Sequence, residues 1–363
     1  MCMKRILVIG MSDTLGGVET YLYNLIKTIN KQQYKFDFLV IGQDNKSVFE
    51  KEINEIIGDG ENHFYYCPNL KKEYLKTKRW LNSFYEKNHF DIIYLNTCTA
   101  ARISYCVKGI NSNTKLVTHS HNGKADNWKG TVTNALFKRY TTNKSVYKIA
   151  CSDIAYKYLF SDIAHGNWFV PNGVDTNRFS FSEENRKKIR KQLNIGDDKI
   201  VIGNVGRFSA QKNQAYFLDL AQTLDDNYLF LLLGNGELKH GFIEKIKERG
   251  LEKKFIVLPS KNNVEEYYSA MDIFVMPSLF EGLPITAIEA QCNGISCIFS
   301  ENITQQVSLS SHCKFVNLDE KEKWIHAIKM MANVRYDGND VIKRNGFDIS
   351  STVKKIEMIF LEL

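Results

Sequence analysis

Short apolar runs rich in Val, Ile and Leu alternate with amphipathic stretches along the whole chain. In the first half RILVIG (5–10), FDFLVIG (36–42), FDIIYLN (90–96), KLVTHSH (115–121) and VYKIAC (146–151) read as buried strands. GVETYLYNLIKTIN (17–30) and EYLKTKRWLNSFYEK (73–87) read as helices between them. The rhythm then repeats. IVIGNVG (200–206), YLFLLLG (228–234), KFIVLP (254–259), IFVMPS (273–278) and SCIFS (296–300) read as strands, and 213–224, 240–250 and 263–271 as helices. Near-continuous aliphatic strands separated by helices are the mark of parallel sheets covered on both faces. The fold class expected is therefore α/β, with two doubly wound parallel-sheet units. Pro171, Asn172 and Gly173 punctuate the seam between them. The expected division is 1–172, 173–345 and a last segment, 346–363, whose sequence GFDISSTVKKIEMIFLEL has an amphipathic helical pattern. Two such units would face a cleft, with ligands at the carboxyl ends of the strands.

Length supports the division, because 363 residues exceed what one ordinary core accommodates. No run reaches the roughly 18 apolar residues of a membrane span. The opening MCMKRILVIG is too short in its apolar part for a secretory signal. Eight cysteines, at 2, 67, 98, 106, 151, 292, 297 and 313, form no Cys-x-x-Cys, which argues for reduced thiols, against a zinc site and for a cytoplasmic location. Charge changes the picture more. The net +7 lies in residues 1–175, and window 71–160 holds 16 Lys/Arg against 5 Asp/Glu. Such a field suits nucleic acid, an anionic membrane face or a phosphorylated substrate, or is an ordinary solvated surface.

Candidate chemistry sits where strands give way to helices. IGMSDTLGGVET (9–20) places Gly16 and Gly17 at a helix start, where backbone N–H groups are free for an anion. It lacks the Gly-x-Gly-x-x-Gly dinucleotide pattern, and a plain turn would look the same. GNVGRFSAQKN (203–213) offers Arg207 and Lys212 to a diphosphate, unless both are merely solvated. LGNGEL (233–238) sets Gly234 and Gly236 in a strand-to-helix turn. MPSLFEGLPITAIEAQCNG (276–294) carries Glu281 before a helix and Glu289 within it, in apolar company. Gly282 and Leu283 lie where amides and the helix dipole could meet a phosphate, with Pro284 in the first turn. Eight residues apart, the carboxylates suit two ends of an extended hydroxyl-rich ligand better than an acid/base dyad. In KLVTHSHNG, His119 and His121 point to one side of a strand end. They could act on a sugar phosphate or be hydrogen-bonded structural residues, and no third ligand nearby supports a metal.

Taken together, these residues resemble the retaining glycosyltransferases of the GT-B fold in family 4, and most closely the bacterial capsule and exopolysaccharide branch. The resemblance spans essentially the whole chain and rests on Glu281-x7-Glu289, with GGVE, PNGVD, GRFSAQK and LGNGEL in order. It implies two Rossmann-like domains, acceptor-binding then donor-binding, with the last helix returning to the first domain. It also implies that Glu289 binds the ribose hydroxyls and Glu281 the donor sugar. Amides around Gly282 and Leu283, with Gly16, Gly17, Gly234 and Gly236, would approach the phosphates. Arg207 and Lys212 would neutralise the leaving diphosphate, and His119, ahead of His121, would lie near the sugar. The implied donor is a UDP-sugar, and no metal or other cofactor is expected. The implied acceptor is a lipid-diphosphate-linked saccharide.

The basic window supplies the membrane side of that reading. Lys72, Lys76, Lys78 and Arg79 mix with Tyr74, Leu75, Trp80, Leu81, Phe84 and Tyr85. Lys124, Lys129, Lys138, Arg139, Lys144 and Lys148 stand beside Trp128, Leu136, Phe137 and Tyr140. Basic and aromatic residues together suit a peripheral contact with an anionic bilayer, and an amphipathic helix packed on the sheet accounts for the first group equally well. Two rival functions share parts of this pattern. A GT-B sugar-nucleotide 2-epimerase would not require the full Glu, Arg and Lys set. A nucleic-acid-binding module would show a recognition motif, which is lacking, and salt-sensitive binding to random DNA.

Overall fold

A computed structural model describes residues 3–42, 46–69, 73–97, 99–107, 109–123, 128–166 and 168–363, with only the backbone for 74, 102, 105, 128 and 129. The chain forms two units: Met1–Gly173 together with Ile349–Leu363, and Val174–Asp348.

The first unit is built on β1 (Lys4–Ile9), β2 (Tyr34–Ile41), β3 (Phe64–Cys67), β4 (Ile92–Thr97), β5 (Lys115–Ser120) and β6 (Tyr147–Ala150). All pair in parallel, in the order β3-β2-β1-β4-β5-β6. In β1 the side chains of Ile6, Leu7, Val8 and Ile9 are all fully buried, as a central strand covered on both faces requires. Ile6 and Val8 face a core shared with helices Gly17–Thr28 and Ile349–Glu362. Leu7 and Ile9 face one shared with helix Tyr74–Lys87. The last helix presses Ile356 and Phe360 into the first of these cores, and Lys4 Nζ donates to the Phe360 carbonyl at 2.7 Å.

The second unit repeats the plan with β7 (Ile200–Val205), β8 (Tyr228–Leu233), β9 (Phe255–Leu258), β10 (Ile273–Met276), β11 (Ser296–Ser300) and β12 (Cys313–Val316). The order is β9-β8-β7-β10-β11-β12, so each unit has its first strand at the centre and reverses direction beside it. Where the order reverses, the loops leaving two neighbouring strands diverge and open a crevice at the strands' carboxyl ends. A buried charge cluster braces the opposite end of this sheet. Asp272 takes Arg186 Nη2 at 2.6 Å and Arg190 Nη2 at 2.5 Å, and the Val201 amide donates to it at 2.7 Å. Arg186 and Arg335 also donate to the last carbonyls of helix Val264–Ala270, the end where a helix dipole favours cations.

Two strands escaped the sequence pattern. β3 (FYYC) is aromatic rather than aliphatic and β12 (CKFV) is interrupted by Lys314, so neither matches the Val/Ile/Leu runs of the other strands. Helix Trp128–Lys144 also went unread, because Val132 and Leu136 lie exposed and no single apolar stripe forms. Helix Tyr74–Lys87 corrects the basic–aromatic surface. Leu81, Phe84 and Tyr85 are buried in the core, and Trp80 stacks on Phe84 at 5.0 Å. Trp80, Phe84 and Tyr85 are packed on the core under the sheet, and Leu75 is an exposed apolar group beside the basic side chains. Lys72 and Lys124 lie outside the described residues, as do the side chains of Tyr74, Trp128 and Lys129. Among the described residues no helix is long and apolar enough to cross a membrane.

Candidate active site

In the second unit the loops that follow β7 and β10 lie side by side at the carboxyl ends of the strands, where the order reverses. Three hydrogen bonds stitch these loops together: the Leu279 amide to the Gln211 carbonyl (2.8 Å), Gln211 Nε2 to the Phe280 carbonyl (3.0 Å), and Asn213 Nδ2 to the Pro277 carbonyl (3.1 Å). Asn213 has a left-handed backbone, a conformation an Asn tolerates better than most residues. The stitching brings Lys212 Nζ to 2.6 Å from Glu281 Oε1. Glu281 is 8% exposed, and the Lys212 ammonium engages its buried Oε1 at ion-pair distance.

Helix Ile285–Cys292 starts from Pro284, which is the extended residue before the first turn rather than a part of it. Every residue of this helix except Thr286 is buried, which explains the all-round apolar sequence. Glu289 is buried with them. Tyr268 Oη donates to Glu289 Oε2 at 2.8 Å, from helix Val264–Ala270. Burial pushes the Glu289 carboxyl up to about 7, against the Tyr268 hydrogen bond and the Arg178 charge, which both favour the ionised form. Arg178 is itself held on Glu265, with Nε at 3.0 Å and Nη2 at 2.8 Å from the same oxygen.

The loop after β8 packs tightly on the loop after β7. A Cβ on Gly234 would lie 1.9 Å from the Gly206 carbonyl oxygen, and one on Gly236 would lie 2.3 Å from that of Phe208. Both glycines have positive φ, so side chains are excluded twice over. Their demonstrable role is this close approach. It brings Glu237 to Arg207, whose Nε and Nη2 sit 3.1 and 3.0 Å from one Glu237 oxygen. The two cations expected to act as a pair are thus separately partnered: Lys212 with buried Glu281, Arg207 with exposed Glu237.

In the first unit Gly16 precedes helix Gly17–Thr28 in an extended conformation. The carboxylate of Glu19 folds back beside it, and Ser12 Oγ donates to Glu19 Oε1 at 2.6 Å. The helix start therefore already has a negative group at hand. At the end of β5, the rings of His119 and His121 lie 4.0 Å apart on one side, as alternation predicts. Their environments differ. His119 is fully buried, with Nε2 at 3.0 Å from the Val170 carbonyl and Nδ1 at 2.7 Å from Tyr94 Oη. A carbonyl only accepts, so Nε2 carries the proton and Nδ1 accepts from Tyr94, which in turn accepts from Tyr21 at 2.8 Å. Burial and the neighbouring His121 hold His119 neutral, with its pKa well below the usual histidine value. His121 retains some exposure and sits between Asn96 (2.9 Å) and Asn172 (3.0 Å), and burial lowers its pKa to about 4. Both histidines are thus hydrogen-bonded at both ring nitrogens, and they differ in depth, with His119 fully enclosed.

Tyr268, Arg178 and Asn96 were not singled out from sequence, and Asn172 was named only as a seam residue. Asn172 lies in the quoted PNGVD, and Glu265 and Tyr268 share a helical spacing that would place them on one face. Their partners are distant in sequence, which hides the pairing. Among the described residues no cluster of three or more His, Cys, Asp or Glu has the geometry to hold a metal.

Comparison with known proteins is consistent along the chain. The family model described as Glycosyltransferase Family 4 matches residues 15–178, and that described as Glycosyl transferases group 1 matches 185–328. A Bacillus subtilis protein, the putative glycosyltransferase EpsF, is 28% identical over 318 residues, covering 84% of this chain and 81% of its own. An Escherichia coli UDP-Gal:alpha-D-GlcNAc-diphosphoundecaprenol alpha-1,3-galactosyltransferase is 30% identical over 53% of this chain and 54% of its own. Among solved structures, Anabaena Alr3699/HepE in complex with UDP and glucose superposes with a TM-score of 0.80 at 17% identity, covering 99% of this chain and all of that one. WaaG, a glycosyltransferase involved in lipopolysaccharide biosynthesis, gives 0.72 at 12% identity over 98% of this chain and 99% of its own. The two Rossmann-like units are those of the GT-B fold, and the chain belongs to the family 4, group 1 glycosyltransferases.

Proposed function

We propose that this glycosyltransferase is a retaining, metal-independent hexosyltransferase. It takes a sugar from a nucleoside diphosphate sugar, with UDP as the nucleotide, and passes it to a lipid-diphosphate-linked saccharide in surface polysaccharide assembly. The observation that carries the reading is the pair of buried carboxylates around one helix start. Glu281 is buried against the Lys212 ammonium, Glu289 is held by Tyr268, and the amides of Gly282 and Leu283 lie near the helix start between them in sequence. A sugar nucleotide presents sugar hydroxyls, a diphosphate and a ribose diol in one extended molecule, which is the complement of that arrangement. Anabaena HepE is described with UDP-glucose, and the E. coli relative is named for UDP-Gal and a diphosphoundecaprenol-linked GlcNAc. Both support the choice of donor and acceptor.

When the bond from the anomeric carbon to the diphosphate oxygen breaks, its electron pair goes to that oxygen. Lys212 and the helix-start amides stabilise the charge, with Arg207 as a more exposed second cation once it leaves Glu237. Glu281 holds hydroxyls of the sugar as positive character develops there. The acceptor hydroxyl attacks the same face and gives its proton to the departing phosphate. Glu289 holds the ribose. Of the two histidines we assign the sugar contact to His121, a neutral hydrogen-bonding group. Gly16 and Gly17 serve the approach of the first unit's backbone to the donor. The basic side chains around exposed Leu75 and Leu136 give the first unit its contact with an anionic membrane, and nucleic acid is not a partner.

The test is a binding and transfer screen of UDP- and GDP-sugars, with Glu289→Ala and Glu281→Gln as controls. Saturable binding of one sugar nucleotide that is lost in Glu289→Ala meets the expectation. A folded protein that binds none of them overturns it. Sedimentation with vesicles containing phosphatidylglycerol tests the membrane contact, which fails if binding is absent at low salt.

A further inference from the structure

Resting on that donor reading, we infer that Tyr268 is a positioning residue for Glu289, aiming its carboxylate at the donor and holding it in the form that accepts the ribose hydroxyls. Tyr268 is fully buried and lies on the short helix Val264–Ala270, one element away from the proposed binding residues in sequence. Its hydroxyl reaches two acceptors on helix Ile285–Cys292, Glu289 Oε2 at 2.8 Å and the Thr286 carbonyl at 3.2 Å. A single proton shared between them goes to the charged and nearer oxygen. With Oε2 engaged by a rigid phenol, the rotation of the carboxylate is fixed, and Oε1 with the remaining lone pairs is left for a ligand.

The surrounding charges show why such a residue is needed. Burial alone favours a protonated Glu289, and a protonated carboxyl is a poor acceptor for a diol. The charged and titratable groups that act on it are Tyr268, Arg178, Glu265 and the thiol of Cys292. Arg178 favours ionisation, but its guanidinium is committed to Glu265, which opposes it. Burial holds the Tyr268 phenol neutral and therefore a donor. Tyr268 is the direct hydrogen-bond donor that keeps the carboxylate available near neutral pH. Helix Val264–Ala270 supplies both Tyr268 and Glu265, so one element sets the orientation and the ionisation of Glu289 together.

The experiment measures donor KM and kcat against pH, between about 5.5 and 9, for the wild type, Tyr268→Phe and Glu289→Ala. In the wild type, donor affinity falls as pH drops through about 7, because Glu289 takes up a proton. In Tyr268→Phe the ionised form loses its hydrogen bond, so that midpoint moves upward by about one to two pH units, the equivalent of one charge-assisted hydrogen bond. Donor KM at neutral pH rises about tenfold or more, and approaches the wild-type value at the alkaline end. A purely structural role would lower thermal stability and leave the midpoint in place, and that result overturns the inference. If Glu289→Ala binds donor like the wild type, the donor reading itself fails. If Glu289→Ala loses the donor while Tyr268→Phe keeps both its KM and its midpoint, only the role of Tyr268 is rejected.

Discussion

Lys212→Met separates what the Lys212–Glu281 pair does for the fold from what it does for the reaction. Removing one partner of a buried ion pair strands the other charge, at about 3–5 kcal/mol for a fully enclosed pair. Lys212 keeps a fifth of its side chain in solvent, so water replaces part of the lost interaction. We expect about 2 kcal/mol for Lys212→Met, a fall of roughly 4–8 °C in the melting temperature for a unit of this size. The double variant Lys212→Met/Glu281→Gln removes both charges and recovers most of that loss, since an apolar or neutral replacement of a buried pair is often close to neutral. Activity follows a different rule. If Lys212 stabilises the leaving diphosphate, the single variant loses about a hundred- to a thousandfold in kcat, and the double variant recovers none of it. Differential scanning fluorimetry and a donor-saturated transfer assay on the four proteins of the cycle read both quantities. An unchanged kcat in Lys212→Met refutes the assignment of this amine to the leaving group. Equal destabilisation of single and double variants refutes the account of the buried charge.

Glu289→Gln is expected to abolish donor binding and yet stabilise the fold above pH 7. Glu289 keeps its proton up to about pH 7 when folded and loses it near 4.5 when unfolded, so stability falls as pH rises across that window, by at most about 3 kcal/mol; urea unfolding at pH 5 and 8 checks the sign. Tyr94→Phe should cost about 1–3 kcal/mol by stranding His119 Nδ1, while leaving transfer nearly intact. His121→Ala should do the reverse, lowering kcat with little change in melting temperature. Gly236→Ala should destabilise the second unit by more than about 2 kcal/mol through strain against Phe208, seen as an early unfolding transition.

The strands and their parallel pairing were legible because burial on both faces leaves long aliphatic runs such as YLFLLL in β8. Edge strands obey a weaker rule: FYYC is aromatic rather than aliphatic, and Lys314 interrupts CKFV. The same division runs through the site. Glu281 and Glu289 stood out because a carboxylate in an apolar run is costly without a reason. What holds each of them was not readable. Lys212 reaches Glu281 only through loop-to-loop hydrogen bonds, and Tyr268 reaches Glu289 from a helix 21 residues away. His119 and His121 looked alike in sequence because alternation fixes the side of a strand and not the depth. The carbonyl of Val170, 51 residues from His119, fixes the tautomer of that ring.

The first unit is completed by residues 349–363, so its sheet is made before the second unit and one of its helices after it. On a ribosome adding about 5–20 residues per second, the 175 residues of the intervening unit take roughly ten to thirty seconds. Throughout that interval the surface that will receive Ile356 and Phe360, including Tyr34 and Tyr94, has no cover. The nascent protein thus carries a sticky apolar strip on an otherwise formed domain, the kind of surface a chaperone shields. The relay of Tyr21, Tyr94 and His119 lies beneath the same helix, so the histidine pair gains its final surroundings only after the second unit has been made.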